Sequence, residues 1–224
     1  SRGLGDVYKR QVGIGAEKKS KVISEKEKKI TAYHESGHAI LFHVLPHMDP
    51  VYTISIIPTG MGAAGYTMPL PDNDEMFNTK NKMLEDITTL LGGRVAEEII
   101  FGDITTGASN DIKRATETAR SMVMKYGMSE KIGLIAYGND DDEVFIGRDL
   151  AHTRGYSEEV AREIDGEISR IIRECHENAE SIIRENIGVL HSCASLLLEK
   201  EKVHREEFEA LFTTEKEEVA KTNE

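Results

Sequence analysis

His34 and His38 stand four residues apart in the run His34-Glu35-Ser36-Gly37-His38, with a carboxylate immediately after the first imidazole. Residues four apart on a helix share one face with Cβ atoms about 6 Å apart, so both rings can meet one metal ion. Zinc suits such nitrogen donors. Glu35 projects beside them, where it can accept a proton from a metal-activated water and deliver it to a leaving amine. This is amide hydrolysis without a covalent nucleophile.

The chemistry requires a helix, and the surrounding residues predict one. Ser24 and Glu27 form a capping-box pattern, and Ile30, Tyr33, Gly37, Ile40, Leu41 and Val44 recur at helical spacing from Ser24 to about Leu45. Pro46 and Pro50 end it. The small Gly37 lets another element pack close to the metal. Val51, Thr53 and Ser55 alternating with Tyr52, Ile54 and Ile56 predict a strand that ends near Pro58. Thr59-Gly60-Met61-Gly62 reads as a turn, with a returning strand from Ala64 to Met68.

Met83, Ile87, Leu90, Leu91, Val95 and Ile99 mark a second helix. It contains Gly92-Gly93, whose cost of about 1 kcal/mol each inside a helix implies close contact with a neighbouring backbone. A third helix is expected from near Ser109 to Gly127, with Ile112, Ala115, Ala119, Met122, Val123 and Tyr126 on its inner face. From Ser157 a long helical stripe runs through Val160, Ile164, Ile168, Ile171, Cys175, Ala179 and Ile183. A break at Asn186 to Gly188 separates it from a helix over Val189 to Leu198, and a last helix covers Arg205 to Phe212. The acidic run Asp140 to Glu143 lacks the spaced oxygen ligands of a calcium loop and reads as a solvated turn.

A catalytic zinc takes three protein ligands and leaves one position for water. Two acids compete for the third place. Glu97 lies in the second helix beside Gly92-Gly93, and Asp111 begins the third, where Gly107-Ala108-Ser109 permits a close backbone approach. An aspartate there is equally readable as a helix cap, so these residues alone leave the choice open. His43 falls about 180° round the helix from His34, and His47 lies in a turn past Pro46. Both read as histidines outside the site, and His152, His176, His191 and His204 have no partner at ligand spacing.

Forty acidic against twenty-eight basic residues give a net charge of -12 in 224 residues, which opposes nucleic acid as a partner. No apolar run approaches the roughly 20 residues needed to span a bilayer. Cys175 and Cys193 would lie roughly 27 Å apart on one straight helix, beyond the reach of a disulfide, and read as free core thiols of a reducing compartment.

The sequence resembles the FtsH proteases, bacterial and organellar membrane enzymes that couple an AAA ATPase to a zinc peptidase. The likeness rests on Val22 to Lys28 leading into His34 to Ala39, on Ile57-Pro58 and Gly65-Tyr66-Thr67, on Gly92-Gly93-Arg94-Val95-Ala96-Glu97-Glu98, and on Thr106-Gly107-Ala108-Ser109-Asn110-Asp111. It extends to Gly127 to Leu134 and Tyr156 to Glu159, with Ser36 standing where the family is expected to carry alanine. The resemblance implies a mainly α fold: a helical zinc-peptidase domain over residues 17–212 with a small β-hairpin near the active site and a C-terminal helical bundle. Residues 1–16 would be a linker or sequence remnant, and 213–224 a flexible tail. It further implies one zinc ion per chain held by His34, His38 and Asp111, Glu35 as the catalytic base, and Glu97 as an acid that orients a ligand histidine. Unfolded proteins would be the substrates, held along an edge strand at Ala64, Gly65 and Tyr66. The implied assembly is a homo-hexamer, with the helices after Ser157 among its contacts, fused in the full-length protein to an AAA ATPase and transmembrane segments on the cytoplasmic side of a bacterial inner membrane. The phosphate loop G-x-x-x-x-G-K-[ST] is missing here, so ATP would bind elsewhere in that protein and this fragment would be soluble. A deformylase would need a cysteine ligand from a glycine-cysteine motif that neither cysteine supplies. A non-enzymatic assembly module would have no use for Glu35.

Overall fold

The computed structural model describes residues 23–59, 63–70, 76–137 and 156–222, with side chains as far as residue 213. Gly60 to Gly62, Asp140 to Glu143, His152 and Ser1 to Gln11 lie outside these residues. The fold is mainly α, with a three-stranded antiparallel sheet.

Helix α1, Glu25–Val44, begins where the sequence predicts: Ser24 Oγ accepts from Glu27 N at 3.2 Å while Glu27 Oε2 accepts from Ser24 N at 3.1 Å. Every residue from Thr31 to Leu41 is buried, so α1 is enclosed on all sides at the centre of the molecule. The expected inner position Val44, in its last turn, is 40% exposed. Strands β1, Val51–Ser55, and β2, Tyr66–Pro69, form the hairpin, with β2 two residues later than its alternation suggests.

Helix α2, Lys80–Phe101, crosses α1 at the expected glycines. A Cβ on Gly37 would meet the Gly92 carbonyl oxygen and lie 2.8 Å from Ala96 Cβ, and one on Gly92 would lie 2.9 Å from Gly37 O. After α2 ends at Gly102, a 3₁₀ turn at Thr106–Ala108 leads into α3, Ser109–Met124. Ala115, Ala119, Met122 and Val123 are buried as expected, but Ile112 and Tyr126 are 40% and 50% exposed. Tyr126 lies beyond the last helical turn, which Gly127 closes at φ 61° while Met128 N donates to Met122 O.

Helix α4, Glu158–Glu185, is capped by Ser157 Oγ and buries Ala161, Ile164, Ile168, Ile171, Cys175, Ala179 and Ile183. The break that follows is a single residue, Asn186, after which α5 runs over Ile187–Lys200 and includes Gly188. A strand the sequence reading does not contain, β3, Lys202–His204, then pairs with β1, giving the order β2-β1-β3. Helix α6, Arg205–Thr222, extends ten residues past the expected end at Phe212.

Two apolar cores result. One joins α1, β1, α5 and α6 through Ile40, Leu41, Ile54, Leu190, Leu197 and Phe208; the other joins α2, α3 and α4 through Ile87, Met122, Ile164 and Ile171. Both cysteines are free and buried, and burial pushes the Cys193 thiol up to about 12. Among the described residues no helix is long and apolar enough to cross a membrane.

Candidate metal centre

The helical spacing sets His34 and His38 side by side, Nε2 to Nε2 at 3.1 Å. Each ring is held from behind. His34 Nδ1 lies 2.8 Å from Glu97 Oε1, and His38 Nδ1 lies 2.7 Å from the Thr89 carbonyl oxygen. Carboxylate and carbonyl oxygens only accept, so both Nδ1 atoms carry the hydrogen and both Nε2 atoms offer lone pairs to the same space. Asp111 Oδ2 reaches that space from the first turn of α3, 3.6 Å from His34 Nε2 and 3.8 Å from His38 Nε2. No side chain caps α3, and the Asp111 carboxylate pairs with these two rings.

The three ligand atoms lie within 4.8 Å of one another. Tetrahedral vertices around zinc with bonds of about 2.05 Å are about 3.3 Å apart, close to the separations found here. Three lone pairs facing one another repel unless a cation lies among them, so the donor set fits zinc. Without metal, a proton takes that role. Burial disfavours charge on His34, but its bonds to Asp111 and Glu97 outweigh it and raise the pKa to about 10. Burial, and next the charge on His34, push His38 down to about 4.

Glu97 is 1% exposed and fully engaged: Thr105 N donates to Oε2 at 2.8 Å, Thr105 Oγ1 to Oε1 at 3.2 Å, and His34 takes Oε1 as well. Burial works against its charge, and the bonds from His34 and Thr105 more than offset that, lowering its pKa. Arg94 Nη2 in turn donates to Thr105 O at 2.7 Å, bracing the chain between α2 and α3. Gly93 gives the His34 ring its room, since a Cβ there would fall on the imidazole.

Glu35 is 7% exposed beside the histidines. Burial raises its pKa to about 7 against the opposing effects of His34 and a hydrogen bond from Thr67. Of the expected substrate residues, Tyr66 opens the edge strand β2, with buried Gly65 and exposed Ala64 just before it. A Cβ on Gly65 would lie 2.6 Å from Ser55 O and 3.0 Å from Glu35 Cγ.

The remaining described histidines lie away from this cluster. His43 stacks on Phe212, His47 Nδ1 pairs with Glu85 at 2.6 Å, His176 Nε2 with Glu98 at 2.8 Å, and His191 Nδ1 meets the Tyr33 hydroxyl at 2.9 Å. Sequence reasoning missed Thr89, Thr105 and the separate task of Gly93. Thr89 acts through its main chain, which carries no residue-type signal, and Thr105 precedes the Thr106 to Asp111 motif without belonging to it.

A family model described as Peptidase family M41 matches residues 21–211. The chain is 54% identical over 205 residues to the ATP-dependent zinc metalloprotease FtsH 1 of Thermoanaerobacter sp. (strain X514), covering 92% of this chain and 33% of that protein. It is 55% identical over 201 residues to the ATP-dependent zinc metalloprotease FtsH of Caldicellulosiruptor bescii, covering 90% and 32%. Against the protein of the same name in Thermotoga maritima it is 48% identical over 209 residues, covering 93% and 34%. The chain thus spans about a third of the length of these curated relatives.

Proposed function

Because the chain belongs to peptidase family M41, we propose that it is the zinc metalloendopeptidase part of a membrane-tethered, ATP-driven protease that degrades unfolded polypeptides. The observation that carries this reading is the convergence of His34 Nε2, His38 Nε2 and Asp111 Oδ2 beside the buried carboxylate of Glu35. Those three residues would hold zinc, and Glu97 and the Thr89 carbonyl keep the two Nδ1 hydrogens turned outward. When bound, zinc supplies Lewis-acid chemistry, acidifying water and polarising a scissile carbonyl.

The proton traffic falls to Glu35. Its carboxylate takes a proton from the attacking water as the new C–O bond forms, and returns it to the amine nitrogen as the C–N bond breaks. In the metal-free protein burial raises the pKa of Glu35 to about 7, and a cation bound beside it would favour the carboxylate that accepts the proton. The half-buried strand β2, at the edge of the sheet among the described residues, with Ala64 and Gly65 leading into Tyr66, would hold substrate main chain by strand addition, which suits a protease of broad appetite. The ATPase, the membrane anchor and the cytoplasmic placement at a bacterial inner membrane belong to the longer protein, and six copies would close a ring round the sites.

Glu35→Gln tests the mechanism. The variant is expected to bind zinc as the parent does while peptide cleavage falls by several orders of magnitude. Near-normal cleavage would sink the assignment.

A further inference from the structure

The face of β2 turned toward α1 carries Gly65 just ahead of the strand and Thr67 within it, two residues apart as the pleat requires. With no side chain at Gly65 the strand approaches closely: a Cβ there would lie 2.7 Å from Thr31 Cγ2. That approach brings Thr67 Oγ1 to 2.8 Å from Glu35 Oε2 and 3.0 Å from the Glu35 main-chain oxygen. A threonine hydroxyl has one hydrogen, and the carboxylate is the stronger acceptor. Among the described residues, Oε1 of Glu35 makes no hydrogen bond. One oxygen is held and the other is left open.

A glutamate has three rotatable side-chain bonds, and an unheld carboxylate spends much of its time with no lone pair directed at a reacting water. We propose that Thr67 is a positioning residue for peptide hydrolysis: its hydroxyl holds Glu35 Oε2 so that Oε1 is presented as the proton-accepting atom. The proposal rests on the reading of Glu35 as general base. Thr67 stands opposite Ile54 in the ladder with β1, so main-chain pairing sets its place and the hydroxyl is free to serve the carboxylate. The same bond ties the base to the strand along which substrate would lie.

Thr67→Val keeps the size and β-branched shape and removes the donor, while Thr67→Ser keeps the donor. On the zinc-loaded protein with a fluorogenic peptide, Thr67→Val is expected to lower kcat about 10- to 100-fold. KM, zinc affinity and melting temperature are expected to stay near the parent values, and Thr67→Ser to recover most of the lost kcat. An unchanged kcat in Thr67→Val overturns the proposal, as does a loss confined to KM or one that Thr67→Ser does not restore. Glu35→Gln measured alongside separates the two readings. Near-normal cleavage by Glu35→Gln removes the base itself, whereas an inactive Glu35→Gln beside a fully active Thr67→Val removes only the role of Thr67.

Discussion

His34 and His38 differ in what stands behind them, and the difference adds to the effects of burial and of Asp111. Glu97, a carboxylate, backs His34; a neutral main-chain carbonyl backs His38. Against the cost of burial, the bonds to Asp111 and then to Glu97 raise the pKa of His34 to about 10, whereas burial and the charge on His34 lower that of His38, 3.1 Å away, to about 4, so in the metal-free protein a proton favours the His34 ring. Zinc bound there would have to displace that proton. Asp111 offers a lone pair directly to the same space, whereas Glu97 acts through the His34 ring. Glu97→Gln retains an acceptor oxygen for Nδ1 and is expected to weaken zinc binding about 10- to 100-fold. Asp111→Ala removes a ligand and is expected to weaken it further and to abolish proteolysis, with helical content unchanged by circular dichroism. Competition with a chromophoric chelator ranks the two, and the reverse order would mean that the wrong acid had been chosen.

At the scale of elements, the site depends on how closely α2 passes α1. Gly37 and Gly92 let the backbones touch, and that contact puts the Thr89 carbonyl and the Glu97 carboxylate within reach of the two rings. Two helical glycines should therefore respond oppositely to a methyl group. At Gly37 the added Cβ meets the α2 backbone, and overpacking is expected to cost about 1–3 kcal/mol. At Gly166 in α4 a Cβ meets nothing within 4 Å, and Gly166→Ala is expected to gain about 0.5–1 kcal/mol. Urea unfolding of both variants decides the matter. Equal responses would show that the α1–α2 contact is slack. The strand order carries a similar lesson: three residues of β3, arriving from far along the chain, make β1 the central strand and leave β2 at the edge facing Glu35.

Across the whole molecule the residues that would hold zinc come from both cores. His34 and His38 belong to α1, packed with β1 and α5, while Asp111 belongs to α3, which packs on α2 and α4. A metal among them would link α1 to α3. Since the unfolded chain presents no such site, zinc at 1,000 times its dissociation constant is expected to add about 4 kcal/mol, or roughly 10 °C in melting temperature. Calorimetry with and without a chelator measures this. In Asp111→Ala the increment is expected to shrink sharply, and an undiminished one would mean that zinc stabilises the protein from another place.

The local signals were legible because each is confined to a few neighbouring residues. The Ser24–Glu27 capping box, the i, i+4 histidines, and the stripe from Ile164 to Ile183 all rest on helical geometry that the chain carries within itself. The two glycines were readable as a close contact for the same reason, since their cost in a helix needs a compensation. What met what was not readable. Whether Asp111 capped its helix or faced the rings, which glycine met backbone and which met an imidazole, that Thr67 met Glu35, and that Lys202–His204 formed a strand were decided by residues 32 to 150 apart along the chain. Packing two cores against one enclosed helix brings such residues together, and no period of one segment records where another segment will lie.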